Sequence, residues 1–272
     1  NSASDESDDS FIVNGDNAPP VVNLIYPVDL EIFVLGDPDP VIIHWEASDN
    51  YLVEATTLYF ISNGGEDYVE LATLTGEAEY YEWFITDEYF GNDAQIGISA
   101  TDPAGNTGST VSGEFIVTTD TQSAEFNAGW YFIGAPLSPY NPDVNAHFVN
   151  GTLWSYEDGG YSISESIYAG EGYWLASDEY RVVDISGDIA TNAQSMSVSN
   201  GWNLITDPFI VGVNKSQLTV FDGLETKSWN DAADSGWLLS SLYSWDGSGS
   251  TDADELEPWT GYWVGAMTEL EI

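Results

Sequence analysis

The sequence contains no cysteine and almost no positive charge. The absence of cysteine from its 272 residues excludes disulfide frameworks, thiolate zinc sites and cysteine nucleophiles. Lysine and arginine together number 3, against 46 aspartates and glutamates, which gives a formal net charge of −43 at pH 7. Proteins bind nucleic acid by neutralising its phosphates with lysine and arginine, so this composition excludes nucleic acid as a partner.

Long apolar runs are also missing. No stretch reaches the roughly 18 apolar residues that a membrane-spanning helix requires, so we predict no membrane insertion. The chain begins at Asn1 without a methionine, a signal peptide or a tag, which we interpret as the processed form of a secreted protein. The predicted location is therefore extracellular or at the cell surface.

The excess of acidic residues allows three interpretations. So many like charges repel one another and destabilise a folded chain unless salt screens them or cations bind. The excess fits a protein of a high-salt habitat, a protein of a calcium-rich exterior, or a β-protein whose surface charge keeps it soluble. Composition alone leaves all three open.

Aromatic residues are plentiful, with 11 Trp, 16 Tyr and 11 Phe, and the chain is 43% hydrophobic. Such residues favour sheets with a packed core. Short alternating apolar runs recur between turn residues, as in residues 41–45, 57–61 and 80–84. This pattern predicts an immunoglobulin-like β-sandwich at residues 21–119. Residues 118–127 are polar and predict a linker to the next domain.

The rest of the chain repeats itself. Three pairs of segments match in the same order: 129–136 with 201–208, 153–159 with 242–247, and 172–174 with 261–263. The offset grows from 72 to 89 residues, so the second copy carries about 17 additional residues. We predict a duplicated, aromatic-rich β-domain at 128–272, with repeats at about 128–200 and 201–272. The whole chain is therefore predicted to be all-β.

Residues 1–20 form an acidic leader and linker with one apolar patch, made of Phe11, Ile12 and Val13. Three apolar residues bury little area within their own domain. We predict that they add a strand to the open sheet edge of a neighbouring subunit, where they would form backbone hydrogen bonds. The predicted partner is a second copy of the chain, assembled into a polymer.

Three segments of the first region carry a resemblance to a known family: Asp16–Pro20, Trp45–Asn50 and Asp102–Asn106. They resemble the bacterial immunoglobulin-like and cadherin-like modules of surface and secreted proteins, over about 100 residues. In cadherins, a segment like Asp-Asn-Ala-Pro precedes a domain and helps to hold calcium between neighbours. The resemblance therefore implies an extracellular sandwich with calcium near its linker.

The second region carries another resemblance. Its Gly-Trp-Asn-Leu-Ile segment at 201–205 and its Gly-Tyr-Trp segments at 172–174 and 261–263 are similar to repeats near the C-terminal ends of large secreted bacterial proteins. Some of those proteins are exported by the type IX route. The resemblance implies an extracellular accessory domain and no particular activity.

Calcium is the cofactor that the residues themselves suggest. It prefers six to eight oxygen ligands from carboxylates, amides and backbone carbonyls on loops. In a sandwich, loops at one end would bring together Asp16, Asp49, Asn50, Asp102 and Asn106. The alternative is that these side chains only close turns through local hydrogen bonds.

Tryptophans offer a second kind of site, since exposed indole rings can stack on sugars. The paired positions Trp130 and Trp202, and Trp174 and Trp263, recur as landmarks of the repeats, which predicts that they form its core. The tryptophans without a matching tryptophan are the predicted glycan-stacking residues: Trp229, Trp237 and Trp259.

Catalysis has little support in the sequence. There is no Gly-x-Ser-x-Gly segment, and neither His44 nor His147 has partners at metal-ligand spacing. We predict structural histidines and no enzymatic activity. The leading hypothesis is a subunit of a surface filament, sheath or layer. The alternatives are an adhesive or carbohydrate-binding accessory module of a larger secreted enzyme, and a hydrolase.

Overall fold

The computed structural model describes residues 15–76, 78–245 and 247–272. Within these ranges the chain is all-β, which confirms the predicted fold class. In the part of the chain that the structure describes, no helix is long and apolar enough to cross a membrane.

The chain divides into two compact units, one ending at Thr119 and the other spanning Asp120–Ile272. The predicted assembly segment, Phe11, Ile12 and Val13, lies outside the described residues. Its role in assembly stays a prediction.

The first unit is a two-layer β-sandwich. Its strands are β1 (Val21–Tyr26), β2 (Ile32–Val34), β3 (Val41–Ser48), β4 (Ala55–Ser62), β5 (Asp67–Thr75), β6 (Tyr80–Trp83), β7 (Gly91–Thr101), β8 (Thr107–Val111) and β9 (Phe115–Thr118). One sheet has the order β1-β3-β6, and the other has the order β2-β9-β7-β4-β5, with β8 also paired to β7. Short 3-10 helices lie at Asn63–Gly65 and Asp87–Tyr89.

Aromatic rings fill the space between these two sheets. Trp45 of β3 and Trp83 of β6 are buried and face Phe60 of β4 and Phe115 of β9 across the core. Trp83 contacts both phenylalanines, with ring centroids 5.7 and 6.2 Å apart. Because side chains alternate along a strand, the core residues come from every second position, and the positions between them face solvent.

The second unit is built from shorter strands and two short helices. Its strands are β10 (Thr121–Phe126), β11 (Gly129–Ile133), β12 (Ser138–Pro139), β13 (Thr152–Glu157), β14 (Gly160–Ser164), β15 (Tyr173–Ser177), β16 (Arg181–Asp188), β17 (Ser197–Val198), β18 (Gly201–Thr206), β19 (Val213–Asn214), β20 (Thr219–Phe221), β21 (Thr226–Ser228), β22 (Tyr243–Trp245), β23 (Ser250–Asp252), β24 (Glu255–Leu256), β25 (Gly261–Ala266) and β26 (Leu270–Glu271). The helices are α1 (Val144–His147) and α2 (Trp229–Asp234), and a 3-10 helix lies at Lys215–Gln217.

Two four-stranded sheets of this unit share one topology. The first has the order β11-β15-β13-β14 and the second has the order β18-β25-β22-β23. The matching sequence segments fall on corresponding strands, and helices α1 and α2 each precede the third strand of their own copy. The remaining sheets have the orders β10-β16-β12, β17-β26-β20-β21 and β19-β24.

The two copies contact each other reciprocally. The backbone amide of Gly172 donates to the carbonyl of Leu204 over 2.9 Å. The matching glycine of the second copy, Gly261, lies against Phe132 and Ile133. These contacts make one compact body of the two copies.

The segment at 118–127 is not a linker. Its residues from Thr121 to Phe126 form β10, which pairs with β16 along its whole length. Phe126 is buried in the core of the second unit, against Tyr131 at a centroid distance of 5.3 Å. The sequence prediction failed because β10 is an exposed edge strand, whose polar residues face solvent and resemble a loop.

Candidate functional site

Three carboxylates meet at one end of the first unit. Asp16 precedes β1, Asp49 follows β3 and Asp102 follows β7, as the sequence predicted from loops of a sandwich. One ligand oxygen from each residue lies within 4.8 Å of the other two. We call these three residues the carboxylate cluster.

The two predicted amide residues hold the carboxylate cluster in place. The Nδ2 atom of Asn50 donates to Asp16 over 3.1 Å. The Nδ2 atom of Asn106 donates to the carboxylate of Asp102 over 2.7 Å and to the backbone carbonyl of Asp16 over 3.1 Å. Both side-chain amide oxygens are acceptors and match the chemistry that calcium prefers.

Local turn formation accounts for only part of this geometry. One oxygen of Asp49 accepts hydrogen bonds from the backbone amides of Tyr51 and Leu52, as an Asx turn requires. Its other oxygen, Oδ1, is buried and has no hydrogen-bond partner among the described residues. Burial raises the pKa of Asp102, but hydrogen bonds from Asn106 and from backbone amides outweigh it, so the pKa is lowered and the carboxylate stays ionised.

The carboxylate cluster has no cationic side chain to compensate it within the first unit. Residues 1–119 contain no lysine and no arginine, and the three cations of the chain belong to the second unit. There they form ion pairs with carboxylates: Arg181 with Asp178, Lys215 with Asp252 and Asp254, and Lys227 with Glu225. Within residues 1–119, therefore, no lysine or arginine offsets the repulsion among the three neighbouring carboxylates.

A second candidate site is an aromatic surface on the second unit. It covers the outer faces of the two matching sheets, and we call it the aromatic strip: Trp130, Trp154, Tyr156, Tyr161, Trp174, Trp202, Tyr243, Trp245 and Trp263. Strand alternation explains it. Tyr173 and Leu175 of β15 point into the core, so Trp174 between them points outward.

Two open grooves run along the aromatic strip. Groove 1 has a volume of about 680 Å³ and is lined by aromatic rings together with Gly129 and Gly247: Trp130, Trp154, Tyr161, Trp174 and Trp245. Groove 2, about 670 Å³, is lined by Tyr156, Tyr161, Trp202, Tyr243 and Trp263 together with Gly159 and Ser250.

The rings of the aromatic strip hold one another in fixed orientations. Trp130 contacts Trp154 at a centroid distance of 5.2 Å and Trp174 at 6.1 Å. The Nε1 atom of Trp174 donates to the hydroxyl of Tyr161 over 3.2 Å. Trp130 is nevertheless 54% exposed and Trp202 is 47% exposed, so both keep ring surface available to a ligand.

The predicted division between core and exposed tryptophans is wrong. Trp229 is only 1% exposed, and its Nε1 atom donates to the carbonyl of Ser240 inside the core. The ammonium of Lys227 covers the ring of Trp237 at 3.9 Å.

Trp259, the third predicted stacking residue, is half-buried against Phe126, at a centroid distance of 6.4 Å. The repeat landmarks expected in the core, among them Trp130 and Trp202, lie instead on the outer face of their sheets. The reason is strand alternation, which the repeat argument left out: conservation of a ring between copies does not fix which face of the strand carries it.

Neither histidine belongs to the carboxylate cluster or lines a groove of the aromatic strip. His44 is exposed on β3. His147 ends α1, and its ring nitrogens contact the backbone carbonyls of Asn141 and Asp184 at 2.7 and 3.0 Å. These contacts join α1 to β16 and give His147 a structural position.

Comparisons with known proteins identify no family for this chain. No family model matches the sequence, and no curated protein matches it. A structure of Drosophila OTK, extracellular domains 3-5, aligns with 94% of this chain and 96% of its own length at 11% identity, with a TM-score of 0.26. At that TM-score the likeness identifies neither a common fold nor a common function.

Proposed function

We propose that this chain is a non-enzymatic extracellular binding protein whose aromatic strip holds an uncharged polysaccharide. The observation that carries the proposal is the group of nine exposed or half-buried aromatic rings on the outer faces of the two matching sheets. Soluble proteins rarely expose contiguous apolar surface without using it for binding. The axial C–H groups of a sugar ring form an apolar face that packs on indole and phenol rings.

The surroundings of the aromatic strip suit a sugar better than a purely apolar ligand. A polar cleft of about 610 Å³ adjoins groove 2, and Tyr156 and Trp202 line both. Glu157, Asp158 and Asn200 also line this cleft, where they offer hydrogen-bonding groups to sugar hydroxyls. The net charge of −43 repels anionic polysaccharides, so we expect an uncharged polysaccharide to bind better than an anionic one.

A glycan array with neutral and anionic polysaccharides tests this function. We expect binding to at least one neutral glycan, and loss of that binding in Trp130→Ala and Trp202→Ala. Tyr180→Ala is the matched control, because Tyr180 is 56% exposed on the same unit but outside the aromatic strip. A folded protein that binds no neutral glycan would refute the proposal.

Calcium is proposed as the ligand of the carboxylate cluster. Support comes from three carboxylates within 4.8 Å, one unpartnered buried oxygen and the absence of lysine and arginine from residues 1–119. The proposal agrees with the resemblance of this region to immunoglobulin-like and cadherin-like surface modules. A cation here would tie together the loops that precede β1, follow β3 and follow β7.

The filament, sheath or layer function stays a separate prediction. It depends on Phe11, Ile12 and Val13, which lie outside the described residues. Deletion of residues 1–13 followed by electron microscopy would test it, and unchanged assembly of the truncated chain would contradict it. Polysaccharide binding through the aromatic strip does not depend on that result.

A further inference from the structure

We infer that the two grooves of the aromatic strip bind one polysaccharide chain jointly, as two halves of a single extended site. This inference rests on the proposed function and deepens it, because it specifies a polymer long enough to occupy both grooves. Two features of the second unit support it: shared walls and a continuous aromatic floor.

Each groove is completed by a ring from the other copy of the repeat. Trp245 belongs to the second copy but lines groove 1, where its ring lies 5.5 Å from that of Trp174. Tyr156 belongs to the first copy but lines groove 2, where its ring lies 4.7 Å from that of Trp263. Neither copy alone therefore carries a complete groove.

Aromatic surface continues from one groove into the other. Tyr161 lines both grooves and is 55% exposed. The buried ring of Phe132 contacts Trp174 and Trp245 of groove 1 and Trp263 of groove 2 at centroid distances of 3.8, 6.5 and 5.8 Å. A ligand that follows the rings past Tyr161 therefore stays on aromatic surface.

A polymer is the kind of ligand that fits two similar grooves in a row. Its repeating units present the same apolar face and the same hydroxyls to each groove, whereas a compact small molecule fills only one. Four tryptophans line groove 1, and two line groove 2 beside the polar cleft. Because indole offers the larger ring face, we expect groove 1 to contribute more of the affinity.

Isothermal titration calorimetry with neutral oligosaccharides of increasing length tests the joint site. The probes are the cello-, malto-, xylo- and chito-oligosaccharides, from the disaccharide to the hexasaccharide and, where soluble, the octasaccharide. For the series that binds, we expect two disaccharides per protein but only one of the longest chain, with at least tenfold higher affinity, since the second groove is filled intramolecularly.

Substitutions in each groove provide the second readout. Trp130→Ala and Trp202→Ala should each lower the affinity for the longest chain at least tenfold, with the larger loss in Trp130→Ala. For the disaccharide, each variant should instead remove one of the two sites and leave the affinity of the other unchanged. Tyr180→Ala is the control, and Trp130→Tyr and Trp202→Tyr, which keep a ring, should retain most of the binding.

The outcomes separate this inference from the proposed function. If the longest chain binds at two independent sites with the affinity of the disaccharide, the joint site is wrong while polysaccharide binding stands. The joint site is also wrong, and polysaccharide binding still stands, if Trp130→Ala or Trp202→Ala halves the number of longest chains bound per protein without lowering their affinity. If no neutral series binds to the folded protein, or if Tyr180→Ala loses binding equally, both the function and the joint site are refuted.

Discussion

Asp207 is a buried carboxyl group in the second copy of the repeat, at a position where the first copy has an apolar residue. Its counterpart in the first copy is Ala135, and both residues are fully buried. The Oδ1 atom of Asp207 accepts a hydrogen bond from the backbone amide of Phe209 over 2.9 Å, but Oδ2 has no partner among the described residues. Burial raises the pKa of Asp207 to about 7, and the charges of Glu257 and Glu255 add to the effect.

This raised pKa predicts a loss of stability with increasing pH. The folded state holds the carboxyl group of Asp207 neutral, whereas in the unfolded chain this group ionises near its ordinary pKa of 3.8. Its favourable contribution is therefore complete below that value and is lost as pH rises toward about 7. Urea denaturation of Asp207→Asn should show less decline in unfolding free energy between these pH values, by the order of a few kcal/mol. An unchanged pH profile in the variant would contradict this account.

Two buried tyrosines occupy matching positions in the copies. The hydroxyl of Tyr173 accepts from the backbone amide of Tyr168 and donates to Glu171, and the hydroxyl of Tyr262 accepts from the amide of Glu257. Burial raises the pKa of both, with the bond to Glu171 adding to the rise for Tyr173; that of Tyr262 reaches about 12. Both hydroxyls therefore stay protonated at ordinary pH.

Removal of either hydroxyl leaves an amide without its partner. Tyr173→Phe and Tyr262→Phe should each cost about 1–3 kcal/mol of unfolding free energy, because an unsatisfied buried polar group loses its hydration without compensation. Chemical denaturation measures the effect, with the exposed residue changed in Tyr180→Phe as the control. Equal midpoints for all three variants would show that these hydroxyls do not stabilise the fold.

At the scale of elements, the two copies approach each other closely at Gly172, which precedes β15. A Cβ atom added there would lie 2.6 Å from the carbonyl oxygen of Ile205 in β18. At the matching Gly261, an added Cβ would meet Phe132 and Ile133 at 3.1 to 3.2 Å, which a small shift relieves. The two glycines thus occupy matching positions but differ in how well they accommodate an added Cβ atom.

Gly172→Ala should therefore destabilise the protein more than Gly261→Ala does. A backbone clash forces strand movement, and overpacking of this kind costs about 1–3 kcal/mol. Differential scanning calorimetry of the two variants measures the difference. Comparable melting temperatures would mean that β15 and β18 can move apart at little cost. The close approach of Gly172 to Ile205 would then not be what joins the two copies.

Elements also show what the sequence was able to predict. Alternating runs and turn residues are local signals, and they located β3, β4, β6 and the paired segments of the second unit. The aromatic strip was missed although its signal is local too. Tyr173 and Trp174 are neighbours in one strand and cannot both point inward, so their alternation with Leu175 shows that Trp174 lies outside.

At the scale of the whole molecule, prediction succeeded where topology was simple. Loops at the same end of a sandwich lie close together, so the sequence predicted that Asp16, Asp49 and Asp102 would come together. The sequence could not predict the shared grooves. Trp245 lines groove 1 and Tyr156 lines groove 2, and both contact residues that are distant in sequence. No periodicity within either copy reports such contacts.

The carboxylate cluster leads to a prediction about the whole molecule. With a net charge of −43, any added salt should raise stability by screening repulsion. A specific calcium site adds a second effect at constant ionic strength, because a ligand that binds only the native state stabilises it by mass action. At a hundredfold excess over the dissociation constant, the gain is about 2.7 kcal/mol.

Thermal melts in chelator and in millimolar calcium, with ionic strength held constant by sodium chloride, separate the two effects. Calcium should raise the melting temperature of the wild type but not that of Asp49→Asn. This variant keeps an acceptor for the amides of Tyr51 and Leu52 and removes one charge from the carboxylate cluster, so in chelator it should be at least as stable as the wild type. The control is Glu46→Gln, which removes one charge from an exposed position of β3 and should keep the calcium response. If both variants respond to calcium as the wild type does, the stabilisation comes from general screening, and the carboxylate cluster is only a set of turns.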